Sequence, residues 1–284
     1  MAQRIIFTCI LITTLQLSAQ TTLLKADGPG NTYQLINSKF APTVGSAIES
    51  PGFKTNNYNN HYSFINHEGN NNHISEILDP QMGAVFQFSI HAKEDKDRYK
   101  CSNNDRQRNE IKTYASSPDY LKGTIGENVE YKWTMKLPND FMASQNFTHL
   151  HQIKSVGGIK AEEKMPLITI TAYKKTNGDE LHIRHSENST QKTIAKVPLK
   201  TIKGEWVEFT EKINYKKGKN GTYQLSIKNI NSDKVILNYK DKLLTYKKNA
   251  DFMRPKWGIY RSVKDLQNIK DENILFGYFK ITEL

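Results

Sequence analysis

Apolar and polar residues alternate along most of this chain, and alternation with a period of two is typical of half-buried β-strands. The cleanest run spans 130–137, where Tyr131, Trp133, Met135 and Leu137 share one face. Turn residues separate this run from others of the same kind. Strands are predicted at 32–40, 84–92, 107–114, 130–137, 147–155, 167–174, 180–186, 205–215, 222–228, 235–239, 256–262 and 274–281.

Helical periodicity is missing over any long stretch, and the sequence has neither a repeat of solenoid length nor a low-complexity linker. The Asn-rich run over 56–72 is interpreted as a solvated loop. Many short strands separated by turns predict an all-β, antiparallel sandwich or barrel. The absence of a linker favours one domain over residues 21–284.

The first 20 residues have the pattern of a secretory signal peptide. Arg4 precedes an apolar run that ends at Leu17, and Ser18-Ala19-Gln20 follows as a small-residue cleavage region. The run is short for a membrane span, and no second run of spanning length follows. We therefore expect residues 1–20 to be removed and the protein to be secreted, without membrane insertion.

The charge balance narrows the choice of partner. Forty Lys and Arg residues against 29 Asp and Glu residues give a formal net charge of +11, which attracts polyanions. For an exported protein this favours an acidic polysaccharide over nucleic acid. Cys9 lies in the predicted leader, so Cys101 alone remains in the mature chain and no internal disulfide is expected. We expect a monomer.

The strand at 256–262 is the first candidate for chemistry. Alternation puts Lys256, Gly258 and Tyr260 on one face and Arg261 on the other. Glycine within a strand often marks a close approach by a ligand or another backbone. A phenol beside cations is a candidate proton-transfer group, because positive charge favours the phenolate. An ordinary half-buried strand would show the same residues.

The segment Arg108-Asn109-Glu110-Ile111-Lys112 puts a cation, a carboxylate and a second cation on one strand face. The planar fork of Arg grips a carboxylate through two hydrogen bonds. We interpret this face as a carboxylate-binding surface in which Glu110 holds the two cations in position. A solvent-facing strand with cross-strand ion pairs has the same pattern.

A third strand offers Gln152 and Lys154 on one face, with Ile153 in the core. His149 and His151 share the Ile153 face and are interpreted as packed side chains that at most support the site. The sequence has no His-Glu-x-x-His motif and no cysteine pair, so a zinc site has no support. No cofactor is predicted to be required, while a structural Ca²⁺ site of scattered oxygen ligands stays open.

Together these three segments resemble the jelly-roll polysaccharide lyases of the alginate lyase and heparin lyase I type. Those lyases carry Arg-x-Glu-Leu-Arg, then Gln-Ile-His, then a late Lys-x-Gly-x-Tyr strand. This chain has 108–112, 152–154 and 256–260 in the same order, with Lys112 in place of the second Arg and Lys154 in place of the His. The whole pattern is most similar to the ulvan lyases of polysaccharide lyase family 28.

The resemblance implies a two-sheet jelly roll and a lyase that cleaves uronate-containing, sulfated polysaccharide such as ulvan by β-elimination. Such an enzyme neutralises the uronate carboxylate, removes the proton on C5 and expels the oxygen on C4. The implied catalytic residues are Tyr260, Lys154, Arg108 and Gln152. The implied substrate-binding residues are Lys112, Lys256, Asn109, Glu110, Arg261 and His151.

The resemblance also implies individual roles. Arg108 and Gln152 would bind the carboxylate, and Tyr260, its pKa lowered by nearby lysines, would take the C5 proton and return it to O4. Glucuronate carries both atoms on one face, whereas iduronate carries them on opposite faces and would need Lys154 or a histidine on the second side. The competing functions are an alginate, glucuronan or heparin lyase and a non-catalytic carbohydrate-binding jelly roll.

Overall fold

The structure is a computed structural model, and it describes residues 19–51, 72–98 and 103–284. Within these ranges the chain forms two antiparallel sheets that pack as a sandwich. The predicted all-β, antiparallel fold is therefore confirmed. Cys101 and most of both the leader at 1–20 and the Asn-rich run at 56–72 lie outside the described residues, so the interpretations made for them stay predictions.

The described strands and helices follow one another with short connections. No described helix is both long and apolar enough to cross a lipid bilayer. The strands are β1 (Thr21–Lys25), β2 (Ile48–Glu49), β3 (Ile74–Asp79), β4 (Gly83–Ile90), β5 (Arg106–Lys112), β6 (Asn128–Lys136), β7 (Thr148–Val156), β8 (Ile168–Tyr173), β9 (Glu180–His185), β10 (Lys192–Pro198), β11 (Trp206–Asn214), β12 (Gly221–Asn229), β13 (Val235–Leu243), β14 (Phe252–Ser262) and β15 (Glu272–Glu283). The helices are α1 (Thr32–Phe40) and α2 (Lys160–Glu163), with 3₁₀ turns at Asp119–Leu121, Leu199–Thr201, Gly218–Asn220 and Leu266–Asn268.

Strand order places the candidate chemistry in the middle of one sheet. The first sheet has the order β13-β12-β11-β6-β15-β4-β3, and β1 pairs with β15. The second sheet has the order β10-β9-β8-β7-β14-β5-β2. Its neighbours β7, β14 and β5 carry the three segments that the sequence singles out. Many neighbouring strands are distant in sequence, so the chain crosses between the two sheets repeatedly.

The segment 32–40 forms helix α1, and its prediction as a strand is wrong. Thr32, Ile36 and Phe40 are buried at intervals of four residues, which is the spacing of one helix face. The ring of Phe40 lies 5.8 Å from that of Trp257, so this face covers the core. The sequence also missed β1, β2, β3 and β10, which are short or lie at sheet edges.

The core between the sheets is rich in aromatic rings. Trp133 on β6 stacks on Phe209 on β11 with ring centroids 4.9 Å apart. Trp257 on β14 packs against Phe279 on β15 at 5.2 Å. Because Trp257 lies in this core, alternation turns Tyr260 to the opposite side of its sheet. We call that side of the second sheet the outer face.

Gly258 has a backbone that few other residues can adopt. Its φ is +139°, and an added Cβ would lie 2.2 Å from the carbonyl oxygen of Asn109 on β5. We expect Gly258→Ala to lower the free energy of unfolding by about 2–5 kcal/mol, combining backbone strain with a steric clash. Urea unfolding of the purified variant measures this loss.

Gly178→Ala is the matched control for the Gly258 prediction. Gly178 also has a positive φ, +105°, but its added Cβ would meet nothing within 4 Å. It should therefore lose only the backbone contribution, about 1–3 kcal/mol. If Gly258→Ala lost no more free energy of unfolding than Gly178→Ala, the close approach of β14 to β5 would be contradicted.

Candidate active site

Cross-strand register brings the predicted catalytic residues together on the outer face. Tyr260 on β14 lies opposite Arg108 on β5. Lys256 on β14 lies opposite Gln152 on β7, and Lys154 follows on the same face of β7. Three segments that are far apart in sequence, at 108–112, 152–154 and 256–260, therefore form one patch.

Three carboxylates fix the guanidinium of Arg108. Its Nε donates to Asp97 at 2.7 Å, and its Nη1 donates to Glu110 at 3.0 Å and to Glu49 at 3.4 Å. Burial alone would lower the pKa of Arg108. The negative charges of Glu110 and Glu49 have the larger combined effect and raise this pKa above its ordinary value. Nη2 has no hydrogen-bond partner among the described residues, so its two N–H donors are left for a substrate carboxylate.

Glu49 on the edge strand β2 is a second centre of this charge network. It forms ion pairs with Arg98, with Lys112 at 2.7 Å and with Lys256 at 2.5 Å. Burial alone would raise the pKa of Glu49, but Lys256, Lys112, Arg108 and Arg98 hold it well below its ordinary value. Glu49 is not predicted as a site residue from the sequence, because a two-residue strand leaves no alternation to detect.

Glu110 positions other groups, as expected from the sequence, but its full burial does not fit the substrate contact also expected for it. It is fully buried and accepts hydrogen bonds from Arg108, from Lys256 at 2.6 Å and from Gln152. Its second cation is Lys256, whereas Lys112 pairs with Glu49. Lys256 is 1% exposed with its ammonium between two carboxylates, so it is also a positioning residue.

Two lysines of the patch are easier to deprotonate than usual. Burial, and after it the neighbouring cations Lys256, Arg108 and Arg254, lower the pKa of Lys154 to about 8. Burial likewise lowers the pKa of Lys112 to about 7 although Glu49 opposes the shift. Lys154 is half-buried, and its Nζ contacts no acceptor among the described residues. It can therefore meet an anionic substrate without first breaking an internal ion pair with a described residue.

Tyr260 is surrounded by guanidinium groups. Its hydroxyl accepts a hydrogen bond from Arg106 Nη1 at 2.8 Å, and Arg108 Cζ lies 3.8 Å from the ring centroid. Burial raises the pKa of Tyr260, and the two arginines offset this only in part. The phenol is therefore neutral at neutral pH, which corrects the expectation that nearby lysines lower its pKa.

His149 belongs to the site, although sequence alternation assigned it to the core. Trp257 pairs with His151, but the next pair is Tyr260 with His149, so the register shifts at Leu150. This irregularity turns His149 to the outer face, where its ring centroid lies 5.6 Å from that of Tyr260. Gly258 lies opposite Leu150 in this irregular stretch of β14 and is its one local marker in the sequence. A glycine on β14 does not tell which side chain of β7 changes face, so alternation alone could not reveal the position of His149.

A chain of hydrogen bonds fixes the tautomer of His149. The amide nitrogen of Gln191 donates to the carbonyl of Pro166, which turns the Gln191 oxygen towards Thr169 as an acceptor. Thr169 donates to Gln191 at 3.5 Å, and Thr171 donates to Thr169 at 2.9 Å. Thr171 must then accept at 2.8 Å from Nδ1 of His149, which therefore carries the proton.

The other ring nitrogen of His149 keeps its lone pair. Burial, followed by the cations Arg184, Arg108 and Lys256, lowers the pKa of His149 to about 3. The imidazole is neutral at neutral pH, and its Nε2 has no hydrogen-bond partner among the described residues. The site thus pairs a neutral imidazole that can accept a proton with a neutral phenol that can donate one.

Three residues expected to bind substrate face the core, which corrects those expectations. Asn109 is fully buried and donates to backbone carbonyls beside β3 and β4. Arg261 is also fully buried, and its Nε donates to Gln107 at 3.0 Å. His151 Nε2 lies 2.9 Å from a carboxylate oxygen of Glu211 in the other sheet. The pleat of β5, β14 and β7 turns all three away from the outer face.

Comparison with known families identifies the class of the protein. The model of the polysaccharide lyase family matches residues 56–279, which is most of the chain. The chain belongs to the polysaccharide lyase family. A comparison with curated protein sequences gives no match.

Solved structures with a similar fold are also polysaccharide lyases. Alginate lyase Aly36B is 10% identical and has a TM-score of 0.52, with 92% of this chain and 96% of that chain covered. An endo-β-1,4-glucuronan lyase from the fungus Trichoderma reesei is 12% identical, with a TM-score of 0.48 and coverage of 73% and 85%. An alginate lyase from Pseudomonas aeruginosa is 12% identical, with a TM-score of 0.48 and coverage of 75% and 87%. At 10% identity the similarity to Aly36B concerns the fold, and together with the two antiparallel sheets it confirms the predicted jelly-roll sandwich.

Removing the charge of Glu49 tests the ion network. We expect Glu49→Gln to lower the free energy of unfolding by about 3–5 kcal/mol, because buried cations lose their partner. Glu130→Gln is the control: Glu130 pairs with the exposed Lys212 at 3.0 Å, and exposed pairs contribute less than about 1 kcal/mol. Urea unfolding measures both variants, and equal losses would contradict the central place of Glu49.

The stability difference between the wild type and Glu49→Gln should depend on pH. The depressed pKa of Glu49 stabilises the fold above the unfolded-state pKa, and this contribution is lost as pH falls through the folded-state pKa. The stability difference between wild type and Glu49→Gln should therefore be largest near neutral pH and shrink in strong acid. Urea unfolding at about pH 7 and about pH 3 measures it. A difference that stays constant would mean that packing and not charge is responsible.

Proposed function

We propose that this protein is a secreted polyuronate lyase that cleaves an acidic, sulfated polysaccharide such as ulvan by β-elimination. The observation that carries the proposal is the juxtaposition of Tyr260 and His149 beside Arg108, with ring centroids 5.6 Å apart and the guanidinium 3.8 Å from the phenol ring. A carbohydrate-binding surface has no need for a phenol and an imidazole held ready for opposite proton transfers.

Neutralising the uronate carboxylate is the first task of such an enzyme, because the charged carboxylate keeps the C5 proton only weakly acidic. Nη2 of Arg108 has no hydrogen-bond partner among the described residues, and Gln152 donates one amide hydrogen to Glu110 and keeps a second. Lys154 adds an ammonium without an acceptor among the described residues. Together these groups stabilise the charge that moves onto the carboxylate as the proton leaves.

Proton transfer falls to His149 and Tyr260. The unprotonated Nε2 of His149 takes the C5 proton, the C4–O4 bond breaks as the C4=C5 double bond forms, and Tyr260 gives its proton to O4. Binding of an anionic substrate among the cations that depress the pKa of His149 makes its imidazolium easier to form. Proton exchange with solvent restores both groups. This revises the expectation that Tyr260 is the base.

The choice of ulvan rests on the sequence pattern and on charge. The three segments are most similar to those of family 28 ulvan lyases, and the chain has a net charge of +11 that suits a sulfated polymer. Secretion rests on the leader predicted at residues 1–20. Glucuronan and alginate lyases share the fold, so those substrates are the alternatives to ulvan.

A panel of polysaccharides tests the proposal. The wild-type protein is mixed with ulvan, alginate, glucuronan and heparin, and the ultraviolet absorbance of the unsaturated uronate is followed. We expect the absorbance to rise with ulvan. A rise with another polymer alone would keep the lyase and overturn ulvan. No rise on any of them, together with retained binding, would overturn the lyase and favour a carbohydrate-binding module.

Tyr260→Phe removes the donor to O4 and keeps the ring. We expect turnover to fall by a factor of about 10² or more, because general acid catalysis is lost. Binding of the polysaccharide should survive, since the cations of the outer face are unchanged. Tyr278→Phe is the control, because its hydroxyl contacts Glu208 in the first sheet and should leave turnover unchanged. Full activity in folded Tyr260→Phe would remove Tyr260 from the mechanism.

Lys154 gives the reaction a predicted pH dependence. Lys154 is charged below its pKa of about 8, so if it binds the carboxylate, turnover should fall as pH rises through that value. Lys154→Arg keeps its charge to much higher pH and should move the fall upwards. The rate profiles of both proteins between neutral and alkaline pH measure this. A rate that rises through the same range, with Lys154→Arg inactive, would instead make Lys154 the base.

A further inference from the structure

Two histidines and an aspartate converge outside the proposed active site. His73 precedes β3, His91 follows β4, and Asp95 lies in the loop that leads to β5. His73 Nε2 lies 2.9 Å from Asp95 Oδ1, and His91 Nδ1 lies 3.3 Å from Asp95 Oδ2. One nitrogen from each histidine and one oxygen from the aspartate all lie within 4.8 Å of one another. In a tetrahedral zinc site, ligand atoms are about 3.4 Å apart, so this spacing suits a bound ion.

Two side chains on the core face of β5 donate hydrogen bonds to the backbone of these three residues. Asn109 donates to the carbonyl of His73 at 2.7 Å. Gln107 donates to the carbonyls of His91 at 2.6 Å and of Asp95 at 3.0 Å. These two buried amides fix the backbone positions of His73, His91 and Asp95. Ligands held on rigid elements form a more precise metal site than ligands on free loops.

Ligand chemistry selects the kind of ion. Two imidazoles and one carboxylate suit Zn²⁺, whereas Ca²⁺ and Mg²⁺ prefer oxygen ligands throughout. The side chains of His73 and Asp95 are 4% and 1% exposed, while that of His91 is 31% exposed. The cluster is thus closed on one side and open to solvent on the other. Three ligands are found among the described residues, and a tetrahedral zinc ion takes a fourth ligand besides them.

We propose that His73, His91 and Asp95 form a zinc site that ties β3 and β4 to the β4–β5 loop. No sequence motif predicts this site, because the spacing of the three ligands does not fit a compact zinc motif. The loop continues from Asp95 to Asp97 and Arg98, which hold Arg108 and Glu49. A metal at Asp95 therefore orders the segment that supports the proposed catalytic arginine. The metal site is independent of which polysaccharide is the substrate.

Calorimetric titration of untagged, chelator-treated protein with ZnCl₂ tests the site. We expect one saturable Zn²⁺ site per chain, a rise in thermal midpoint with added Zn²⁺, and neither effect with CaCl₂. Co²⁺ in its place should give the visible absorption of a tetrahedral site. Zn²⁺ should also slow amide hydrogen exchange in residues 92–98, which a metal bound elsewhere would not do.

Variants assign the site to these ligands. His91→Ala and Asp95→Asn should each lose the saturable binding of Zn²⁺. If Asp95→Asn does not fold, His91→Ala alone decides the result, because His91 is the most exposed ligand and its removal disturbs the core least. His182→Ala is the control, because His182 pairs with Glu180 at 2.8 Å and belongs to no group of three possible ligands among the described residues. It should bind Zn²⁺ as the wild type does. Absence of saturable binding in the wild type, or binding undiminished in folded His91→Ala, would show a hydrogen-bonded cluster only and overturn the proposal.

Discussion

Two buried carboxylates, Glu49 and Glu110, hold the outer face of the second sheet together. Without them, Arg108 and Lys256 would repel each other in surroundings that screen charge poorly. Each carboxylate instead accepts from both cations and gives them fixed directions. After this internal pairing, one nitrogen of Arg108 and the ammonium of Lys154 remain without partners among the described residues. The network thus leaves positive charge facing outward, where a polyuronate would bind.

Packing in the sandwich core determines which side chains lie next to Arg108 and Lys154 on the outer face. Trp257 and His151 pack between the sheets, and the pleat of β14 then turns Tyr260 outward. The bulge at Leu150 adds His149 to the same face. Burial acts on these last two groups in opposite directions, raising the pKa of the phenol and lowering that of the imidazole. A ready donor and a ready acceptor of protons thereby arise from one environment.

Sequence alternation predicted the site where the strands are regular. On β5 and β14 it separated Arg108 and Tyr260 from Asn109 and Arg261, although the family resemblance then assigned substrate contacts to the latter pair as well. It failed for His149, because a bulge reverses the face without changing composition. It also failed for Glu49, which comes from the far N-terminal part of the chain, and for 32–40, whose apolar spacing fits a helix. Long-range pairing and local irregularity are the parts that a single sequence does not display.

The central claim is that this chain breaks a glycosidic linkage by elimination and not by adding water. Mass spectrometry of oligosaccharides released in H₂¹⁸O tests it most directly. Elimination predicts that each new non-reducing end is an unsaturated uronate one water lighter than its saturated counterpart, and that cleavage itself places no ¹⁸O in the products beyond slow exchange at reducing ends. Saturated ends, with ¹⁸O built into one product of every cleavage, would mean hydrolysis and would contradict the account.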